Sequence, residues 1–163
     1  MNRHSLARLK LICPTIAYHV GRLDSTLQSR YKIYIEVVQG LRSWQYQQEL
    51  YDRGRILPGK IVTNCRPGHS WHNFGMAIDV CPDKYFEVPG FQPNWDDKHP
   101  DWIKIANTGQ ELGFLPGALF RSFPDKPHLQ ITGKFPVSPT DEIRLIFREA
   151  GMEELWRRSG IYQ

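Results

Sequence analysis

One acidic residue inside an apolar run constrains this chain more than any other feature. Met76-Ala77-Ile78-Asp79-Val80 reads as a buried strand interrupted only by Asp79. Burying a carboxylate is costly unless it is paired, hydrogen-bonded or bound to a cation. Any fold of this chain must therefore bring partners to Asp79. Two compensations stand open at this point: a metal ion, or an arginine or backbone amides bonded to the carboxylate. His72 lies seven positions upstream, with Gly75 between. That spacing fits one face of a helix, but Asn73, Phe74 and Gly75 disfavour a helix, and no HExxH pattern occurs. The stretch from Gly68 to Asp79 instead predicts a loop running into a strand, with Gly75 allowing the bend.

Asp125-Lys126-Pro127-His128 supplies a second acid and a second imidazole, with Pro127 stiffening the link between them. Two histidines and one aspartate make a three-ligand zinc set that leaves a fourth position for water. Hydrolysis also needs a nearby carboxylate that is not a ligand. His72, Asp79 and His128 are candidates for the first role and Asp125 for the second. Asp125 also suits a plain turn before a proline. Arg42, in Gly40-Leu41-Arg42-Ser43, sits at a strand-to-helix junction. It is either an oxyanion or carboxylate partner or an ordinary surface arginine.

The remaining composition narrows the class. A length of 163 residues predicts one domain, 1–163, around one core. The net charge of +4 is scattered, with no long basic run and no aromatic RNA-binding signature, so nucleic acid is not the expected partner. Cys13, Cys65 and Cys81 are odd in number and lack CxxC spacing, which predicts free, buried thiols, although one Cys65–Cys81 bridge is conceivable. Pro14 and His19 interrupt the N-terminal apolar residues, so neither a signal peptide nor stable membrane insertion is expected.

Along the chain, Leu6, Leu9, Ile12 and Ile16 recur at helical spacing, with a break predicted at Pro14. Tyr31 to Val38 reads as a strand, Trp44 to Arg53 as a helix capped by Ser43, and Ile61-Val62-Thr63 as a short strand. Pro82 to Pro100 reads as a long surface loop. Asp101 to Leu112 is predicted helical, and His128 to Thr132 a strand. A last helix opens at Ser138-Pro139-Thr140-Asp141, with Pro139 at its first position, and stops at Gly151 before a short amphipathic piece. Helices at both ends and strands between them, without regular alternation, predict an α+β fold.

Three blocks together resemble one family. Ser70-x-His72-x-x-Gly75-x-Ala77-x-Asp79 resembles the SxHxxGxAxD signature of the LAS zinc peptidases. Gly40-Leu41-Arg42-Ser43 with Gln47, Leu50-Tyr51 and Gly54-Arg55, and Phe123-x-Asp125-x-Pro127-His128-Leu129, resemble further blocks of peptidase family M15. They lie in family order across a motif-bearing core of about residues 31–134. Tyr46 departs from a position that is often acidic in the family, and His69 is an unusual neighbour of Ser70, read as a bystander.

The resemblance implies a hedgehog/DD-peptidase-like fold, with a central antiparallel sheet and flanking helices. It implies one Zn2+ held by His72, Asp79 and His128, with Asp125 as general base and Arg42 as oxyanion stabiliser. Ser70 is implied near the substrate or the ligand shell and Gln47 as a structural or substrate-side contact, while Trp71 and the Pro82–Pro100 loop are expected on the substrate side, walling a groove. The nearest branch is that of the L-alanyl-D-glutamate endopeptidases of phage endolysins and bacterial autolysins. The implied activity is hydrolysis of the peptidoglycan peptide stem at the L-Ala–D-Glu bond by a monomer. Such a protein would be made in the cytoplasm and reach the wall by release or another export route. Two alternatives remain: a D-Ala-D-Ala carboxypeptidase or dipeptidase, and a zinc-containing binding domain without turnover, as in hedgehog signalling domains.

Overall fold

The computed structural model describes residues 1–83 and 90–162. Helix α1 spans Arg3–Leu9, and its Asn2 cap accepts from the backbone N–H groups of His4 and Ser5. Helix α2 spans Pro14–Tyr31. Pro14 opens it at a position where a missing N–H costs nothing. Ile16, Val20, Leu23 and Leu27 form its buried stripe, and Lys32 ends it at a left-handed φ of 57°. The strand expected from Tyr31 therefore begins only at Ile35, because the helical stripe claims the residues before it.

Strand β1 is Ile35–Gln39, β2 is Ala77–Pro82, β3 is Leu115–Pro116 and β4 is His128–Gln130. They form one antiparallel sheet in the order β1-β2-β4-β3. The pairing is irregular between Val37 and Gln39, where β1 bulges before the turn that carries Arg42. Helix α3 spans Trp44–Asp52 behind its Ser43 cap. The stretch Ile61-Val62-Thr63 forms no strand; it belongs to an irregular loop. Helix α4 spans Asp101–Glu111.

Helix α5 covers Asp141–Ser159, capped by Thr140 rather than Ser138, so Pro139 lies outside it. Gly151, at φ 80° and ψ −178°, divides it into two helical segments where a stop was expected. The second segment returns Leu155 and Trp156 to the core. That core is one cluster joining the sheet to α2, α4 and α5, with Trp71, Phe74 and Met76 buried at its centre. The two ends of the chain thus support the sheet that carries the motifs. The expected Pro82–Pro100 loop falls partly on residues 84–89, outside the described residues. From 90 to 100 it is irregular, and Trp95 stacks on Trp102. All three cysteines are free; Cys13 and Cys81 are buried as expected, whereas Cys65 is half-exposed. Among the described residues no helix is long and apolar enough to cross a membrane.

Candidate active site

Three elements deliver three side chains to one point. Antiparallel pairing of β2 with β4 sets Asp79 directly opposite His128. The single 3-10 turn Trp71–Phe74 brings His72 down onto the same spot. Ser70 caps that turn through its hydroxyl, which accepts from the His72 N–H at 3.4 Å. Gly75 closes it at φ 62°, and a Cβ there would press on Trp156 and Ile12. The bend expected at Gly75 is thus both conformational and steric.

His72 Nε2 lies 3.0 Å from Asp79 Oδ1 and 3.1 Å from His128 Nδ1, and His128 Nδ1 lies 3.3 Å from Asp79 Oδ1. The outer nitrogens are also engaged. His72 Nδ1 donates to the Gly40 carbonyl at 2.9 Å, and His128 Nε2 donates to Gln130 Oε1 at 2.9 Å. These bonds place each ring proton on the outer nitrogen and leave the inner nitrogens as lone pairs. Two lone pairs and a carboxylate oxygen facing one another repel unless a cation lies between them. Four-coordinate zinc with bonds of 2.0–2.1 Å sets its ligands about 3.3 Å apart. The observed triangle is close to that edge length, and its donors suit a divalent transition metal.

Without a cation, the Asp79 charge dominates the cluster. Burial alone would raise Asp79, but the two facing imidazoles hold its carboxyl well below the usual range. Burial lowers His72; burial also lowers His128, but in the metal-free cluster the facing Asp79 carboxylate outweighs it and favours a second proton on that ring. Of the two compensations considered for Asp79, the arginine is present, and the triangle offers a place for the other, a metal ion. Oδ1 faces the imidazoles, while Oδ2 accepts from Arg42 Nη2 at 3.1 Å. Arg42 thus holds the second oxygen away from the triangle.

Gln47 completes that arrangement. Its Oε1 accepts from Arg42 Nη1 at 3.0 Å, and its Nε2 donates to the Cys65 carbonyl at 2.8 Å. Gln47 is fully buried and Trp71 is 2 % exposed, so neither presents a surface to a substrate. Trp71 stacks on Phe135, and its Nε1 donates to the Val137 carbonyl at 2.8 Å. The Gln130 amide donates to that same carbonyl, so Trp71 and Gln130 share one anchor behind His128. In this geometry both are internal supports, Gln47 in the structural one of its two expected roles and Trp71 in place of the expected groove wall. A polar or aromatic residue type does not reveal which way its side chain turns.

Asp125 lies beside the triangle. Burial and the Asp79 charge raise its pKa, opposed by His128, His72 and Arg42. Its carboxyl takes no hydrogen bond from any described residue, which leaves it uncommitted. Its backbone N–H donates to the Gly117 carbonyl, and its own carbonyl accepts from the His128 N–H. Gly117 is a residue that sequence reading missed. A Cβ there would sit 2.5 Å from the Asp125 carbonyl oxygen and 2.8 Å from His128 Cβ. Asn73 was also given no role. It accepts from Gly68 N–H and donates to the Arg42 carbonyl, tying two motif blocks together. His69 is exposed and outside the cluster.

Known proteins resemble this chain. The family model described as D-alanyl-D-alanine carboxypeptidase, of peptidase family M15, matches residues 64–131. The peptidoglycan L-alanyl-D-glutamate endopeptidase CwlK of Bacillus subtilis is 35% identical over 100 residues, 60% of this chain and 60% of that protein. The chain thus spans less than two thirds of that relative's length. The L-Ala D-Glu endopeptidase ChiX of Serratia marcescens superposes with a TM-score of 0.53 at 23% identity, covering 81% of this chain and 89% of that one. The LD-carboxypeptidase LdcB superposes at 0.54 with 22% identity, covering 76% and 66%. At those identities the two structures speak for the fold alone, and it is the expected α+β fold. The motif blocks, the fold and the matched segment, which runs through all three triangle residues, agree in their likeness to peptidase family M15.

Proposed function

We propose that this protein is a zinc endopeptidase that cuts the peptide stem of peptidoglycan at the L-Ala–D-Glu bond. The observation that carries this reading is the triangle of His72, Asp79 and His128, with an uncommitted Asp125 carboxyl beside it. The likeness to an L-alanyl-D-glutamate endopeptidase supports the choice of bond. Zinc held by these three side chains supplies a Lewis acid that lowers the pKa of water and polarises the scissile carbonyl.

The chain's own groups do the rest. The Gly40 carbonyl and Gln130 keep both imidazoles neutral and turned inward. Asp125 takes the proton of the attacking water and hands it to the leaving amine. Its raised pKa favours the first of those transfers, because it makes the carboxylate a stronger base. Arg42 fixes Asp79 through Oδ2 and adds positive charge where the oxyanion forms. Ser70 sets the turn that carries His72. The protein acts as a monomer on a wall it reaches by release or a separate export route.

The test is a digest of purified peptidoglycan read by product masses. Cleavage after L-Ala is expected, and the Asp125→Ala protein should still bind zinc but release nothing. The description of the matched family favours a second reading, terminal D-Ala release, which gives different masses. Stoichiometric zinc with no peptide released from any wall preparation would overturn both readings in favour of a binding domain.

A further inference from the structure

The loop between α3 and the Trp71–Phe74 turn is braced on its inside and apolar on its outside. Arg55 Nη1 donates to the carbonyls of Tyr51 and Thr63 at 2.5 and 3.0 Å, and Nη2 donates to Asn64 Oδ1 at 2.9 Å. The Arg55 guanidinium also lies 4.0 Å over the Tyr51 ring, and Arg66 Nε donates to the Tyr51 hydroxyl at 3.2 Å. Gly54, at φ 72°, lets the two sides of the loop close, since a Cβ there would come within 2.6 Å of Ile61 N. The loop is therefore held at its base by one arginine and one glycine. Yet Ile56, Leu57, Ile61 and Val62 are all exposed, Ile56 at 79%.

Exposed aliphatics on a fixed loop suit recognition, because no ordering entropy is lost when a partner covers them. Charge says what kind of partner. From Asp52 to Arg66 the chain carries Arg53, Arg55, Lys60 and Arg66 against Asp52 alone. Arg55 and Arg66 are committed to Tyr51, while Arg53 and Lys60 are exposed. The loop also ends at the site. The Cys65 carbonyl accepts from Gln47, and the Cys65 side chain lies within electrostatic reach of both Arg42 and Asp125.

We propose that the Gly54–Cys65 loop is a rim of the substrate cleft that docks the acidic stem peptide, Ile61 and Val62 covering its methyl groups and Arg53 and Lys60 meeting its carboxylates. This rests on the peptidoglycan reading, because an L-Ala–D-Glu stem offers both the methyl and the carboxylates. The test uses the full zinc-loaded chain and a soluble stem peptide, with Arg53→Glu/Lys60→Glu and Ile61→Ser/Val62→Ser as variants. KM is expected to rise about tenfold in the charge-reversed variant at low salt, with kcat unchanged, and the effect to shrink at high salt. The serine variant should raise KM several-fold independently of salt. Thermal unfolding of both should match the parent, since the changed side chains are exposed.

The dissociation constant of the same peptide, measured in an Asp125→Ala background, separates the two claims. If the parent protein cleaves the peptide while both variants keep its KM and dissociation constant, the rim proposal falls and the peptidase reading stands. If the parent cleaves nothing but binding still depends on the loop, the peptidase reading falls and the rim survives. Loop-dependent sedimentation with phosphatidylglycerol vesicles, with peptide binding unchanged, would also overturn the rim, in favour of a lipid surface.

Discussion

Replacing Gln47 by Met tests whether this residue is an internal brace. The side chain keeps its volume but loses both amide bonds. One of these accepts from a guanidinium at 3.0 Å, and the other donates to the Cys65 carbonyl at 2.8 Å. A hydrogen bond to a charged group contributes about 1.5–3 kcal/mol and a neutral one about 1 kcal/mol. Arg42 has no slack, because its Nε is already buried without a partner among the described residues. A loss of about 3 kcal/mol is expected, which for a chain of this length lowers Tm by roughly 6–12 °C.

Thermal unfolding of the metal-free protein reads that loss without interference from zinc. A second consequence concerns Asp79. With only Asp79 left to hold it, Arg42 drifts, and Oδ2 loses the contact that keeps it outside the triangle. Zinc affinity should fall by about 10–100-fold, as for other partners of a ligating carboxylate. Gln47→Glu, which keeps the acceptor for Arg42 and loses only the donor to Cys65, should lie between parent and Met variant in affinity. A Met variant with parental Tm and parental zinc affinity would refute the bracing role, and would reopen a substrate role for Gln47.

Gln130→Ala removes the acceptor behind His128 and should weaken zinc binding by about 10–100-fold in a competition titration, with far-UV dichroism unchanged. Gly117→Ala drives a methyl into the Asp125 backbone and should destabilise by about 1–3 kcal/mol in urea unfolding, with activity falling further than stability. Glu36 offers a test of pH dependence. Burial, reinforced by Asp83, raises its pKa against the opposing charges of Arg8 and His4. A folded pKa above the unfolded one means that the native state holds the proton more tightly. Stability therefore falls as pH rises from the unfolded value through the folded one. Glu36→Gln should raise Tm near neutral pH and leave it unchanged below about pH 4, as thermal scans across pH would show.

Local chemistry made much of this molecule legible. Pro14 breaks the first helical pattern and opens the second, and the apolar run around Asp79 is a strand. Gly151 interrupts the last helix where its sequence says a stop belongs. The sequence shows only the first part of helix α2, because Tyr31 and Ile33 look like strand residues and the signal that ends the helix is a left-handed Lys32 rather than a glycine.

The site divides along the same line. His72, Asp79 and His128 stand in recognisable blocks, and the structure brings them together. Their supports are non-local: the Gly40 carbonyl is 32 residues from His72, and no residue type announces a carbonyl acceptor. Gly117 escaped notice because its need for a bare Cα arises only once β3 and the Asp125 turn are packed together. The sequence suggests a groove wall for Trp71 and leaves Gln47 between structure and substrate, because burial against Phe135 and Arg42 is a property of the packed whole.

Zinc titration of the purified chain, followed by the same titration of Asp79→Asn, tests the central claim most directly. The triangle predicts one zinc per chain for the parent and an affinity lower by several orders of magnitude for the variant, which loses a charged ligand atom at the apex shared by His72 and His128. A parent that takes up no zinc, or a variant that binds it as tightly as the parent, would contradict the account.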